Sequence, residues 1–367
     1  MRAVAAHGLP GSTLELPPGP LDGPAWAGLF SEAEHHRLIG LLAAAVVAGA
    51  PAVTPTQREQ VAETHAVVMA RVLDIEAAAL GAVAVLDGAG VGVRVLKGLA
   101  TAHLDMPDPA QREFGDVDLL VEPGSFRGAI DVLTAHGLAR DLPERRAGFD
   151  ERFGKEATLY AHRGVEVDLH RTLALGAFGL AMPAARLWPR SERFEVGGRE
   201  LHALAPEARL LHACYSALLG DAVPRLRALR DVAQLAGRGD LDTGEVVSLA
   251  AAGRGTAVVA GGVKLAGETL GAGPGWDLWD WACATTASRW ERAALRAYES
   301  HGGTNTATLL SGCLALPPRA GLSYLRGLAF PDRAYVRARR RAGRPGEWAS
   351  GWRELLRPAR PGRRAGA

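Results

Sequence analysis

Two aspartates on one short apolar run constrain this chain more than any other feature. The run is Phe114-Gly115-Asp116-Val117-Asp118-Leu119-Leu120-Val121. Its β-branched and leucine residues predict a strand over 116–121. Side chains alternate along a strand, so Asp116 and Asp118 share one face while Val117 and Leu119 share the other. Two like charges that close raise each other's pKa unless a cation lies between them. Hard oxygen ligands on a short rigid element suit Mg²⁺. Any fold proposed for this chain must therefore carry a strand with one apolar face and one face built for a cation.

A second segment repeats the pattern. In Val165-Glu166-Val167-Asp168-Leu169-His170, the valines and leucine face one way and Glu166, Asp168 and His170 the other. Arg163-Gly164 separates it from Ala157–Ala161, which predicts a β-hairpin. Placed beside the first strand, Asp168 becomes the third carboxylate of one site, preferred over Glu166 by motif position. Three carboxylates can hold two Mg²⁺ about 3.5–4 Å apart, as two-metal phosphoryl and nucleotidyl transfer requires. A third segment precedes both: Val91–Leu96 reads as a buried strand and ends in Lys97-Gly98. Glycine at a strand-to-helix turn admits a phosphate close to the backbone, and Lys97 adds a point charge for it.

The remainder of the chain reads mostly as helix. Ser31–Gly49 and Pro55–Asp87 have helical spacing, with Thr54 as N-cap and Pro55 at the first helical position. Pro123-Gly124 opens a helix closed by Gly137, and Gly197-Gly198 predicts a second hairpin. Helices follow over Pro206–Leu219, Val223–Leu235, Thr243–Ala252 and Trp276–Tyr298. Four parts result: a helical segment 1–89 with an irregular lead-in, an α/β unit 90–204, a helical segment 205–316, and a basic tail 317–367. The fold class is α+β, a small mixed sheet with large helical additions at both ends.

Lys plus Arg is 42 and Asp plus Glu is 40, so the whole chain favours no polyanionic partner. From Arg319 onward, however, 13 arginines face 3 acids. That tail lacks the interleaved aromatics of a single-strand platform and reads as a solvated end, with nucleic acid the less favoured partner. Cys214, Cys283 and Cys313 stand far apart and imply neither a disulfide framework nor a zinc site. Gly8-Leu9-Pro10-Gly11 interrupts any signal-peptide core, and the apolar stretch Leu38–Ala50 is too short to span a bilayer. A cytoplasmic protein is expected.

Leu96-Lys97-Gly98, Arg112, Gly115-Asp116-Val117-Asp118-Leu119-Leu120-Val121 and Val167-Asp168-Leu169-His170 follow one another in an order that resembles the bacterial uncharacterised nucleotidyltransferases. The helical continuation, Pro206-Glu207, Leu210-Leu211-His212 and Leu229-Arg230-Asp231-Val232, resembles it as well. The resemblance implies a Mg²⁺-dependent transfer of a nucleoside monophosphate from a nucleoside triphosphate, ATP above all, to a small-molecule or peptide acceptor. It implies Asp116, Asp118 and Asp168 as metal ligands and catalytic acids, and Lys97, Gly98, Arg112 and His170 as nucleotide contacts. Leu99 stands where the wider superfamily carries Ser or Gly after the turn glycine. That departure supports an alternative, a catalytically degenerate module that binds nucleotide or a partner. A metal-dependent phosphohydrolase ranks third, because no histidine-rich cluster is present. On residue types alone, Asp231 is expected to pair with Arg227 one helical turn away, and His212 to be a packed helix histidine.

Overall fold

The computed structural model describes residues 1–221, 223–299 and 306–343. Seven strands form one mixed sheet: β1 (Val93–Val95), β2 (Val117–Val121), β3 (Ala139–Arg140), β4 (Glu156–Tyr160), β5 (Glu166–His170), β6 (Ser191–Val196) and β7 (Arg199–Leu204). Their order across the sheet is β3-β4-β5-β2-β1-β7-β6. β2 runs parallel to β5 and antiparallel to β1. Both expected hairpins form, β4–β5 and β6–β7. In the second, Gly197 and Gly198 take φ of +56° and +76°, the pair of positive angles a two-residue hairpin turn demands.

The two faces of the sheet meet different partners. Val93, Val95, Val117, Leu119, Val121, Val167 and Leu169 pack against Val72, Ile75, Ala79 and Leu86 of the long helix Pro55–Gly88 and against Ile130 and Leu133 of the helix Phe126–Ala135. Leu96, Leu120 and Leu204 point the other way, into a second core built by the helices Pro206–Leu219, Leu226–Ala236, Thr243–Ala252 and Thr256–Leu270. Thr54 caps the long helix in a full capping box with Gln57, as its sequence requires. The last of the four helices, Thr256–Leu270, has no counterpart in the sequence reading, because three glycines interrupt its pattern (Gly261, Gly262, Gly267). Those glycines leave space for Leu218, Cys214 and Trp279, whose atoms a Cβ would meet at 3.1, 2.8 and 2.3 Å.

Other expectations change in detail. The apolar stretch expected as one helix over 31–49 is two, Gly23–His36 and Ile39–Val47, with Arg37 left-handed between them at φ +54°. Residues 1–89 gather no core of their own. Trp26, Phe30, Leu41 and Leu42 join the C-terminal helical core, whereas Val72 and Ile75 join the sheet. The lead-in is ordered too: Arg230 donates to the carbonyls of Ala5 and His7, each at 2.7 Å. The tryptophan-rich helix expected over 276–298 divides into Trp279–Ala284 and Arg289–Glu299. The basic segment begins as two helices, Pro318–Ala329 and Arg333–Arg341; its Glu347, Glu354 and last six arginines lie outside the described residues. Among the described residues no helix is long and apolar enough to cross a membrane.

Candidate active site

Register decides which acids meet. In the parallel β2–β5 pair, Asp118 lies directly across from Asp168, and in the β4–β5 hairpin Thr158 lies across from Asp168 and Glu156 across from His170. Because alternation is preserved, Asp118, Glu156, Thr158, Asp168 and His170 all rise from one face of the sheet. The opposite face of the same strands is wholly apolar. Glu166, the competing acid, stands at the far end of β5 opposite Tyr160.

The contacts within this patch are short. Asp118 Oδ1 accepts from His170 Nε2 at 2.7 Å and from Lys97 Nζ at 3.1 Å. A carboxylate has no proton to give, so His170 carries its proton on Nε2 toward Asp118. Asp168 Oδ1 accepts from the Thr158 hydroxyl at 2.6 Å. Glu156 Oε2 stands 2.6 Å from Lys155 Nζ and 3.4 Å from His170 Nδ1. Among the described residues, Asp118 Oδ2 and His170 Nδ1 are buried with no hydrogen-bond partner.

Electrostatics separates the two aspartates. Burial alone would raise the Asp118 carboxyl, but Lys97 and then His170 overcome it and hold it well below the usual carboxylate range. Burial and the neighbouring Glu156 push Asp168 up to about 6, with Thr158 opposing. Lys97 loses solvation, yet Asp118 and Asp116 raise its pKa and keep it charged. His212, on the helix above, is fully enclosed; burial first, then Lys97 and His170, drive its pKa well below the ordinary value, so it is neutral.

Three of the expected site residues thus come together, and their ligand atoms offer a cation site. Asp118, Asp168 and His170 each present an atom within 4.8 Å of the others. Two hard carboxylate oxygens and an imidazole, with Asp118 Oδ2 unpartnered, fit a divalent metal. Asp116 is not in this group. It precedes β2, is half-buried, and adds its negative field to Lys97, Arg112 and Arg227. Lys97 and Gly98 lie where expected, at the turn after β1; Gly98 takes φ +64°, where a Cβ would also stand 3.2 Å from Phe114.

Arg112 is placed differently from the expectation. Its guanidinium is buried in a two-pronged pair with Asp231, Nε to Oδ1 and Nη2 to Oδ2, both at 2.7 Å. Asp231 therefore pairs with Arg112 and not with Arg227. The pair clamps the entrance of β2 to the helix Leu226–Ala236, because a fork of this geometry fixes both partners.

Sequence reading passed over Lys155, Glu156 and Thr158. The signal for them was the hairpin itself: its Arg163-Gly164 turn sets a register that places β4's polar residues beside Asp168 and His170. Lys97, Lys155 and Glu156 also open into a cavity of about 280 Å³, whose other wall includes Leu173, Tyr215 and Leu219.

A family model described as uncharacterised nucleotidyltransferase matches residues 22–271. A search of curated proteins finds no match. Among solved structures, an antigenic nucleotidyltransferase-like protein from Paracoccidioides brasiliensis is similar at 15% identity, over 49% of this chain and 85% of that one. The TM-score between the two is 0.30.

Proposed function

Because the chain belongs to the uncharacterised nucleotidyltransferase family, we propose that it is a metal-dependent enzyme transferring a nucleoside monophosphate from a nucleoside triphosphate to a small-molecule or peptide acceptor, releasing pyrophosphate. The observation that carries this reading is the unpartnered, buried Oδ2 of Asp118 facing Asp168 across the parallel pair. An ionised carboxylate oxygen left bare in a protein interior is costly, and a cation removes the cost.

In this reading Asp118 and Asp168 hold Mg²⁺, with Asp116 contributing from the open end of β2. The bound ion supplies charge neutralisation for the triphosphate and lowers the pKa of an acceptor hydroxyl. The chain's own residues do the rest. His170 and Lys97 hold Asp118 Oδ1 and so aim Oδ2 at the ion. Thr158 does the same for Asp168. The turn at Lys97-Gly98 is the contact for the phosphates, with the ammonium of Lys97 supplying the positive charge. His212, being neutral, adds no competing charge beside Lys97. Asp168, as the third acid of the site, is also the carboxylate placed to take a proton from the acceptor hydroxyl. Arg112 serves this site by fixing the entry to β2 in its pair with Asp231.

The test is calorimetric titration of ATP, GTP, CTP and UTP, with and without Mg²⁺, into the wild type and Asp118→Asn. Metal-dependent binding of one triphosphate, lost in the variant, is the expected result, and ATP is the expected donor. Metal-independent binding that survives Asp118→Asn would instead support a degenerate nucleotide-binding module. The buried Leu99 after Gly98, which offers no hydroxyl to a phosphate, gives that second reading its footing.

A further inference from the structure

A concavity of about 190 Å³ opens where the helix Phe149–Phe153 meets the helix Pro318–Ala329. Its rim carries Arg146, Arg152, Arg326 and the Ser323 hydroxyl, and its floor is formed by Phe149 and Phe153. Among the described residues no carboxylate lines it. The acids nearest in sequence are engaged elsewhere: Glu144 and Glu151 pair with Arg127 at 2.9 and 3.1 Å, and Asp150 pairs with Arg140. Two of the three rim arginines are held by neutral acceptors. Arg146 Nη1 donates to the Phe330 carbonyl at 2.8 Å, and Arg152 Nη1 to Ser323 Oγ at 3.2 Å. Those bonds fix direction without neutralising charge. Arg152 also lies over the Phe153 ring, 4.7 Å from its centre, and Phe149 and Phe153 both pack on buried Tyr324. The pocket is therefore braced by the two elements that form it, and is not a chance gathering of mobile side chains.

Three arginines line one concavity from a loop and two helices and concentrate positive potential there. Their planar forks match the oxygens of a phosphate, and three directions of approach suit a tetrahedral dianion better than a flat carboxylate. The pocket also adjoins the site. The chain runs from Arg152 through Phe153 and Gly154 directly to Lys155 and Glu156, so the two backbones are within about 14 Å of each other. We propose that Arg146, Arg152, Arg326 and Ser323 form a second anion site that takes a phosphate monoester, carried by the acceptor of the reaction. The anion site stands on its own geometry, whereas its assignment to the acceptor rests on the nucleotidyl-transfer reading.

The test uses the full-length protein without nucleotide or divalent metal, so its outcome does not depend on whether the chain is active. Inorganic phosphate is titrated calorimetrically into the wild type, Arg326→Gln, Arg152→Gln and Lys97→Met. Phosphate should bind the wild type and Lys97→Met alike and bind both arginine variants about tenfold more weakly or worse. Arg326 is exposed, so that variant keeps the test valid if Arg152→Gln disturbs packing. Glycerol 3-phosphate should displace phosphate, and a short single-stranded oligonucleotide should not. The proposal is overturned if wild type and Arg326→Gln bind equally or neither binds, or if Lys97→Met is the variant that loses affinity. Displacement by the oligonucleotide but not by glycerol 3-phosphate overturns it in favour of a nucleic-acid surface.

Discussion

Two clusters of buried charge among the described residues, one around Arg209 and one around Asp118, are satisfied in opposite ways. Around Arg209, every donor group has a partner: Nε and Nη2 reach Asp105 at 3.1 and 2.7 Å, and Nη1 reaches Glu192 at 2.6 Å and the Leu204 carbonyl at 2.8 Å. That cluster ties β6 and β7 to the turn after Leu104 and to the helix Pro206–Leu219. Around Asp118, by contrast, Asp118 Oδ2 and His170 Nδ1 are buried with no hydrogen-bond partner among the described residues. A structural cluster closes on itself because each unmet buried group costs stability. A site that awaits a ligand keeps such groups open, and the open ones mark where the ligand belongs. The difference supports reading the first as scaffold and the second as machinery.

Four changes would break or sharpen that contrast. The largest effect is expected from Asp118→Asn, which should lower turnover per folded molecule by about a thousandfold or more, with some loss of stability because Lys97 and His170 lose their buried counter-charge. Retained turnover, measured as pyrophosphate release, would remove the machinery reading. Next comes Arg209→Ala, which leaves buried Asp105 with Arg238 Nη1 at 3.3 Å and without its two-pronged partner, and should cost about 3 kcal/mol in urea unfolding, with activity per folded molecule kept. A loss of activity without a loss of stability would reverse the two assignments.

A smaller effect concerns Asp168. Its pKa is raised to about 6 in the fold, so the proton it retains favours the metal-free native state at low pH, and that contribution is lost as pH rises through about 6. At pH 8 without metal, Asp168→Asn should therefore be more stable than the wild type, on the order of 1–3 kcal/mol. The same variant should lose the rise in melting temperature that Mg²⁺ gives the wild type. Lower stability of the variant under those conditions would contradict it.

The smallest effect is from His212. A histidine kept neutral in the fold contributes stability above its ordinary pKa of about 6.5, and that contribution declines as pH falls below it, because the unfolded chain takes up a proton the native state refuses. His212→Gln should flatten the fall in melting temperature between pH 6.5 and pH 5, about a unit and a half of acidification. Identical acid limbs for the two proteins would show that His212 is not enclosed as described.

Much of the site was legible because strand alternation is a local rule. Asp168 and His170 could be assigned to one face of their strand from spacing alone, and the hairpin at Arg163-Gly164 named one neighbour of β5; that β2 is the other neighbour, which brings Asp118 to the same face, came from the pairing itself. What spacing could not settle was the outcome of competition. Asp116 obeys the same alternation as Asp118, yet it falls before the first paired residue of β2 and outside the close group. Arg227 is one turn from Asp231 on its helix, but Arg112 offers a two-pronged fork from 119 residues away and takes it. Local propensity ranks the nearer partner first, and desolvation and geometry rank the better-matched one first.

By itself, then, the sequence determined six of the seven strands, all but β3, with their polar and apolar faces, both hairpins, the capped long helix, and the order of motifs that points to the family. These depend on residues a few positions apart, whose preferences are fixed by backbone sterics and side-chain period. The tertiary structure alone decided that residues 1–89 divide between two cores, that Arg112 serves as a clamp on the strand, that Lys155 and Glu156 border the acids, and that part of the basic segment folds into helices beside an arginine-lined pocket. Those outcomes depend on which distant groups arrive together with matching shape and charge, and a buried ion pair or a shared cavity exists only once the intervening chain has closed.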